Sequence, residues 1–149
     1  MISHREVARA LEQELVHALV NCLAAGDAHD HDAARRRHAD VMVRFEEALA
    51  TQSDRPLQVP ELCAAIGVPE RTLRVSCAEF LGMAPTRYIR LRRLNMVRAA
   101  LRRADPATAS VAELARRYGF TELGRFAAAY RTVFGETPST TFRRADTHW

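Results

Sequence analysis

The sequence contains no lysine: all 22 of its basic residues are arginine, beside 26 alanines. Such a bias is the mark of a genome rich in G and C and carries no functional weight by itself. Cysteine is sparse. Cys22, Cys63 and Cys77 make an odd set without the spacing of a zinc pair, which excludes a disulfide framework. All three lie among apolar neighbours and read as small core residues. No apolar run approaches the ~18 residues of a membrane span, and no signal-peptide pattern opens the chain. A reduced, cytoplasmic setting with no membrane partner is therefore expected. Strand-like alternation is absent as well. There is no nucleophile beside its base, no phosphate loop and no paired carboxylates in a cleft-like setting. Catalytic residues, metal ligands and cofactors are accordingly expected to be none.

What is present is helix-forming and unevenly charged. The 149 residues suffice for one ordinary domain, or a small one with an appendage, and 48% hydrophobic content excludes wholesale disorder. The net charge of +4 hides a split. Residues 1–54 hold six arginines against ten acids, net −4; residues 55–149 hold sixteen against eight, net +8. Such a split suggests that the second part meets a polyanion and the first does not.

Ser3 with Glu6 forms a capping box and opens a helix. Val7, Leu11, Leu15, Ala18 and Cys22 give it one apolar stripe, and Gly26 is a natural stop. The polar stretch from Gly26 to Asp32 reads as a turn or linker. Its His29 and His31 alternate with Asp residues on a loop, which converges ligands poorly, so no metal is expected there. Asp32 would cap a second helix carrying Val41, Phe45 and Leu49 on one face. The Asp54-Arg55-Pro56 stretch is the expected domain boundary, dividing 1–54 from 55–149. Beyond it, glycine and proline cut the chain into short helices around one longer helix between Pro85 and Pro106. Tyr88, Leu91, Leu94 and Leu101, with Val97 beside them, mark that helix's buried face.

The second part repeats itself. Val59, Glu61, Leu62, Cys63 and Gly67 recur 52 residues later as Val111, Glu113, Leu114, Ala115 and Gly119. Past the turn the offset is 53. Leu73, Cys77, Leu81, Gly82 and Pro85 then match Phe126, Tyr130, Phe134, Gly135 and Pro138. In each copy a small residue lets two helices approach closely, and the glycine four positions on supplies a left-handed turn. A second helix follows, anchored by Leu73 or Phe126. This is the pattern of a helix-turn-helix, whose second helix fits the DNA major groove. Ser110 with Glu113 forms a capping box, so Glu113 is structural.

Residues 56–144 resemble the DNA-binding domain of the AraC/XylS family of bacterial transcription regulators. The resemblance rests on Leu62, Gly67 and Leu73, on Leu81-Gly82-Met83-Ala84-Pro85-Thr86-Arg87-Tyr88, and on Arg93-Leu94. Its most specific block runs from Val111-Ala112-Glu113-Leu114-Ala115 through Tyr118-Gly119-Phe120 and Phe126 to Phe134-Gly135-Glu136-Thr137-Pro138, ending at Phe142-Arg143. Departures are Cys63, Pro69, Cys77 and the second turn, Thr121-Glu122-Leu123-Gly124-Arg125. The resemblance implies an all-α fold: two helix-turn-helix subdomains joined by a long central helix, here preceded by two additional helices. It implies that Arg93 braces the two halves by pairing with an acid. It also implies a sensor domain ahead of these helices. Residues 1–54 are too few for one and read as the linker or dimerisation stub of a missing sensor domain, so no effector pocket is expected in this chain.

The expected partner is double-stranded DNA. Leu73, Cys77 and Leu81 face inward on the first recognition helix, about residues 70–81. Glu70, Arg71, Thr72, Arg74, Val75 and Ala78 are assigned to DNA. Arg71 and Arg74 share a face, and arginine reads guanine O6 and N7 bidentately; a phosphate-clamp role for them stays open. On the second helix, about 122–134, Phe126, Tyr130 and either Val133 or Phe134 face inward. Gly124, Arg125, Ala128 and Arg131 are assigned to DNA, with Arg131 a phosphate partner. That half leans on backbone contacts and DNA shape. For Arg143 a salt bridge and a phosphate contact both stay open. The remaining arginines of the middle helix read as a solvated face. The two recognition helices would enter successive major-groove segments, ~34 Å apart. Regulation then follows by blocking RNA polymerase or by recruiting it as an activator. The apolar stripe of the first helix leaves two partners open, the 32–51 helix or a second copy of the chain. The rival reading is a helical protein–protein interaction module without its own DNA specificity.

Overall fold

Local chemistry sets the helix ends in the second part of the chain. The Glu61 carboxylate accepts from the Gln58 backbone N–H at 2.9 Å and fixes the start of the first short helix. Ser110 and Glu113 do the same for its repeat. The Glu113 N–H donates to Ser110 Oγ at 3.2 Å, and the Ser110 N–H donates to Glu113 Oε2 at 3.0 Å. Each box is followed by one to two turns of helix and then a glycine at positive φ, Gly67 at 71° and Gly119 at 90°. In both copies the N–H after the glycine returns to the small residue. Val68 donates to the Cys63 carbonyl at 3.2 Å, and Phe120 to the Ala115 carbonyl at 3.0 Å. The sequence repeat is thus a repeat of the same hydrogen bond.

The computed structural model describes residues 4–51 and 56–145, with side chains for 14–20, 29–51 and 56–145. The described residues are helical and contain no strand, as the all-α expectation required. The order is α1 (His4–Thr51), α2 (Val59–Ile66), α3 (Glu70–Leu81), α4 (Pro85–Arg103), α5 (Val111–Arg117), α6 (Leu123–Phe134) and α7 (Pro138–Ala145).

One expectation is corrected. The two additional helices are a single helix, α1, and the stretch from Gly26 to Asp32 lies inside it. Neither a stop at Gly26 nor a cap at Asp32 exists. A glycine in a helix interior costs only about 1 kcal/mol relative to alanine. Ala24, Ala25, Ala28, Ala33 and Ala34 around it are the best helix formers. The expected box at Ser3 lies outside the described residues, as do the side chains of Val7, Leu11 and Cys22.

The chain forms two compact units, Met1–Asp40 and Val41–Trp149, so the edge falls inside α1 and not at the expected boundary, of which Asp54 and Arg55 lie outside the described residues. In the first unit Leu15, Val16, Leu19 and Val20 are all more than half exposed.

The second unit has two cores. Val41, Met42 and Phe45 from the end of α1 join Val59, Leu62, Cys63, Ile66, Leu73, Cys77 and Ile89 in one. Leu94, Val97, Leu101, Leu114, Ala115, Phe126 and Tyr130 form the other. The central helix α4 supplies both, Ile89 to the first and the next three turns to the second. Tyr88 and Leu91, expected on its buried face, are half-buried at the margins. Cys63 and Cys77 are buried free thiols, the small core residues expected, and burial, with Cys63 and Glu46 adding to it, pushes the Cys77 thiol up to about 11. Cys77 holds the place that Tyr130 fills in the other copy, and Met42 packs against it, sulfur to sulfur at 3.9 Å.

The second core is tied by a ladder of aromatic rings. Phe120–Phe126, Phe126–Tyr130 and Tyr130–Phe134 centroids lie 4.9, 5.8 and 4.6 Å apart. The Tyr130 hydroxyl pairs with Thr141 Oγ1 of α7 at 2.7 Å, and Thr141 also bonds Glu136 at 2.7 Å. The buried phenol therefore has its polar partner.

Candidate nucleic-acid interface

The two second helices, α3 and α6, each bury one face. Leu73, Ser76 and Cys77 turn inward on α3, Phe126 and Tyr130 on α6. Buried Ser76 satisfies its hydroxyl on the Thr72 carbonyl at 2.8 Å. What remains outward on α3 is Glu70, Arg71, Arg74, Val75 and Ala78, all exposed. Thr72, assigned with them, is half-buried. On α6 the outward set is Gly124, Arg125, Ala128 and Arg131. Val133 is exposed and Phe134 half-buried, so Phe134 is the one that completes the inward face.

The guanidiniums on these faces are differently placed. Arg74 pairs with Glu70 one turn back at 3.0 Å, and Arg125 pairs with Glu122 at 2.9 Å. All four side chains are more than half exposed, so each pair is worth at most about 1 kcal/mol and yields readily to a better anion. Arg71 and Arg131 carry no ion pair among the described residues. Among the described residues Arg143 bonds only the Ser139 carbonyl, at 3.3 Å, whereas the neighbouring Arg144 makes a salt bridge, to Glu136 at 2.9 Å.

The elements between the helices fix their relative placement within the second unit. Arg93 is half-buried on α4 and donates to the Leu57 carbonyl at 2.8 Å. The expected acid partner is corrected to a backbone carbonyl; burial lowers the Arg93 pKa, as it does for a guanidinium with no acid beside it. Gly119, in the turn of the second copy, faces Pro56 just ahead of α2. A Cβ on Gly119 would lie 2.7 Å from the Pro56 Cβ and 3.7 Å from Arg93 Nη1. The two subdomains therefore meet backbone to ring at this point.

Three contributors had no local signal in the sequence. Glu46 of α1 accepts from the Tyr88 hydroxyl and from Arg92 at 2.9 Å. Burial first, and then the Glu46 bond, raises the Tyr88 pKa. Arg44 donates to the Ile66 carbonyl at the end of α2, 2.8 Å away. Arg98, expected on a solvated face, lies over the Phe134 ring at 4.6 Å and braces the end of α6. Among the described residues no cluster of His, Cys, Asp and Glu is arranged to hold a metal, and no helix is long and apolar enough to cross a membrane.

Residues 62–144 match the helix-turn-helix domain family. The chain is 35% identical over 133 residues to a probable thc operon regulatory protein of Rhodococcus erythropolis, covering 84% of this chain and 40% of that one. It is 43% identical over 108 residues to XylDLEGF operon transcriptional activator 3 of Pseudomonas putida, covering 72% and 32%. The chain thus spans less than half the length of these two relatives. Among solved structures it resembles a probable AraC family transcriptional regulator from Rhodopseudomonas palustris. The TM-score is 0.63 and the identity 31%, over 71% of this chain and 97% of that one.

Proposed function

Because this chain belongs to the AraC/XylS family of helix-turn-helix, DNA-binding transcription regulators, we propose that α3 and α6 enter successive major-groove segments on one face of a DNA duplex. The observation that carries the reading is the shared exposure of the repeat. Each copy buries its anchor residues and leaves the same flank of its second helix uncovered. In this reading Arg71 and Arg74 of α3 face base edges, with Val75 and Ala78 as apolar neighbours and Glu70 and Thr72 at the helix start. On α6, Arg125 and Arg131 hold phosphates, and Gly124 and Ala128 allow close approach to the groove without reading many bases. Base specificity then resides mostly in α3.

The test is selection of bound sites from random DNA, followed by Arg71→Ala on the selected duplex. Loss of the side chain costs ~1–3 kcal/mol and relaxes preference at one position. Equal weakening on every DNA sequence would show that Arg71 clamps phosphate instead.

We infer further that the DNA-bound chain acts on transcription in a bacterial cytoplasm. Activation, through contact with RNA polymerase, is favoured because several longer proteins that match this chain over part of their length are operon transcriptional activators. Self-association through the exposed Leu15, Val16, Leu19 and Val20 face is the accompanying proposal. A full chain that sediments as a monomer at micromolar concentration removes it.

A further inference from the structure

The charge on the recognition helices does not match the partner they are to meet. Glu70 and Glu79 cancel Arg71 and Arg74, so α3 is neutral, and α6 carries only Arg125 and Arg131. Binding to a duplex depends on cations that displace condensed counterions from phosphates. The positive charge lies on α4, which has seven arginines and no acid. Three of the seven are engaged within the protein: Arg92 on Glu46, Arg93 on Leu57 and Arg98 on Phe134. Arg87 is exposed in the first turn, where the helix dipole is already positive and no acid stands, and Arg90 is exposed in the second turn. A cation in the first turn is unfavourable to the helix unless an anion accompanies it.

Arg90 opens onto a cleft of about 650 Å³ between the two helix-turn-helix subdomains. Gln58 and Thr86 offer neutral donors on its wall, Arg93 lies in its lining, and Arg125 with Glu122 borders it from the start of α6. Arg125 is also on the outward flank of α6, so the cleft opens on the flank proposed to meet DNA. Two successive major-groove segments on one face of a duplex are separated by the minor groove, ~6 Å wide, and its bordering phosphates. A protein that fills both segments presents the gap between its subdomains to those phosphates.

We propose that this cleft seats a backbone phosphate of the DNA between the two groove segments, with Arg90 as its principal ligand. Glu122 is the one acid in the lining; its exposed pair with Arg125 can open so that Arg125 turns to the same strand. The phosphate then neutralises the amino end of α4 and fixes the register of both recognition helices without reading sequence. The proposal rests on the groove-binding reading above and adds a third point of attachment to it.

The experiment uses the full chain and a duplex that it selects from random DNA. Arg90→Gln should weaken binding about tenfold near 100 mM salt and lower the slope of log affinity against log salt by about one. The loss should be equal on all base sequences at the centre of the site. Methylphosphonates at the central phosphates should weaken the wild type similarly and leave Arg90→Gln unchanged. Arg102→Gln, which removes the same charge from the exposed far end of α4, is the comparison. An equal loss in Arg102→Gln reduces the effect to net charge and overturns the seat. A loss that depends on the central base pairs assigns Arg90 to minor-groove reading instead. Competition by inorganic phosphate at constant ionic strength, abolished by Arg90→Gln, makes it a free-anion site. Absence of any salt-dependent DNA binding by the wild type takes down the groove-binding reading itself, and the seat with it.

Discussion

Gly67 and Gly119 occupy the same place in the two repeats, yet exchange of each for alanine should have different consequences. Gly67 has φ 71° and ψ 34°, the left-handed helical region, and nothing lies within 4 Å of a Cβ placed there. Gly67→Ala therefore pays only the backbone preference, roughly 1–2 kcal/mol. Gly119 has φ 90°, and its Cβ would lie 2.7 and 2.8 Å from two ring carbons of Pro56. A proline ring cannot swing aside as a lysine tip can. The chain ahead of α2 must shift, or the second turn must, at a further ~1–3 kcal/mol for overpacking. Gly119→Ala is thus expected at roughly 2–5 kcal/mol in urea unfolding of the full chain. The contact joins the two subdomains, so the shift should also alter the distance between α3 and α6. On a selected duplex, Gly119→Ala should lose affinity that inserting or deleting one base pair between the two contacted segments partly restores. Gly67→Ala should show its best binding at the original spacing. Equal destabilisation by the two variants, or unchanged spacing preference in Gly119→Ala, would refute the claim that the Pro56 contact sets inter-subdomain geometry.

Phe45 is wholly buried and its ring lies 5.9 Å from that of Tyr88. Phe45→Ala should cost ~3–5 kcal/mol, with hydrogen exchange accelerated in α3 more than in α6; a loss under 1 kcal/mol would mean that the end of α1 is dispensable to the first subdomain. Stability should also fall in alkaline solution. The Cys77 thiol is held neutral by burial, with pKa about 11 against an ordinary 9.0, so the folded state keeps its proton where the unfolded chain loses it. Its contribution is whole below pH 9 and fades as pH rises toward 11, by about 3 kcal/mol in all. Tyr88 and Tyr130, also raised, act in the same direction in every variant. The pH slope of wild type should therefore exceed that of Cys77→Ala between pH 9 and 10.5, and equal slopes would acquit the thiol.

Legibility in the sequence followed the range of the interactions. The box at Ser110–Glu113 and the four turn glycines act over a few residues, so their meaning is readable from spacing alone, whereas the box at Gln58–Glu61 opens on a residue outside the usual capping set and is seen only in the structure. The inward and outward flanks of α3 and α6 were readable for the same reason, with the Val133 and Phe134 alternatives settled by packing against Tyr130 and Arg98. Longer-range partners were not. Periodicity announced that Val41 and Phe45 bury a face, but not that the face completes the first subdomain's core. A glycine among alanines was read as a stop, because the balance between a cost of about 1 kcal/mol and continued helix propagation has no local marker. The family resemblance implies an acid for Arg93, but its partner is the Leu57 carbonyl, a backbone group that no side-chain pattern marks.

The arginines of α4 show why composition and position must be read together. As a list they suggested a solvated face, since a helix displays side chains all around. Their neighbours divide them. Arg92 closes onto Glu46 of α1, Arg93 onto Leu57 ahead of α2 and Arg98 onto Phe134 of α6, so one helix clips two others and the segment leading into α2 in place. The exposed Arg87 stands in the first turn, where the backbone itself repels it, and the exposed Arg90 follows in the second. A helix that spends three cations on geometry and leaves two unpaired at its positive end is built to be completed by an anion. That anion must be long enough to reach both subdomains if the placement of α3 and α6 is to matter, and a nucleic-acid backbone has that reach where a small ion does not.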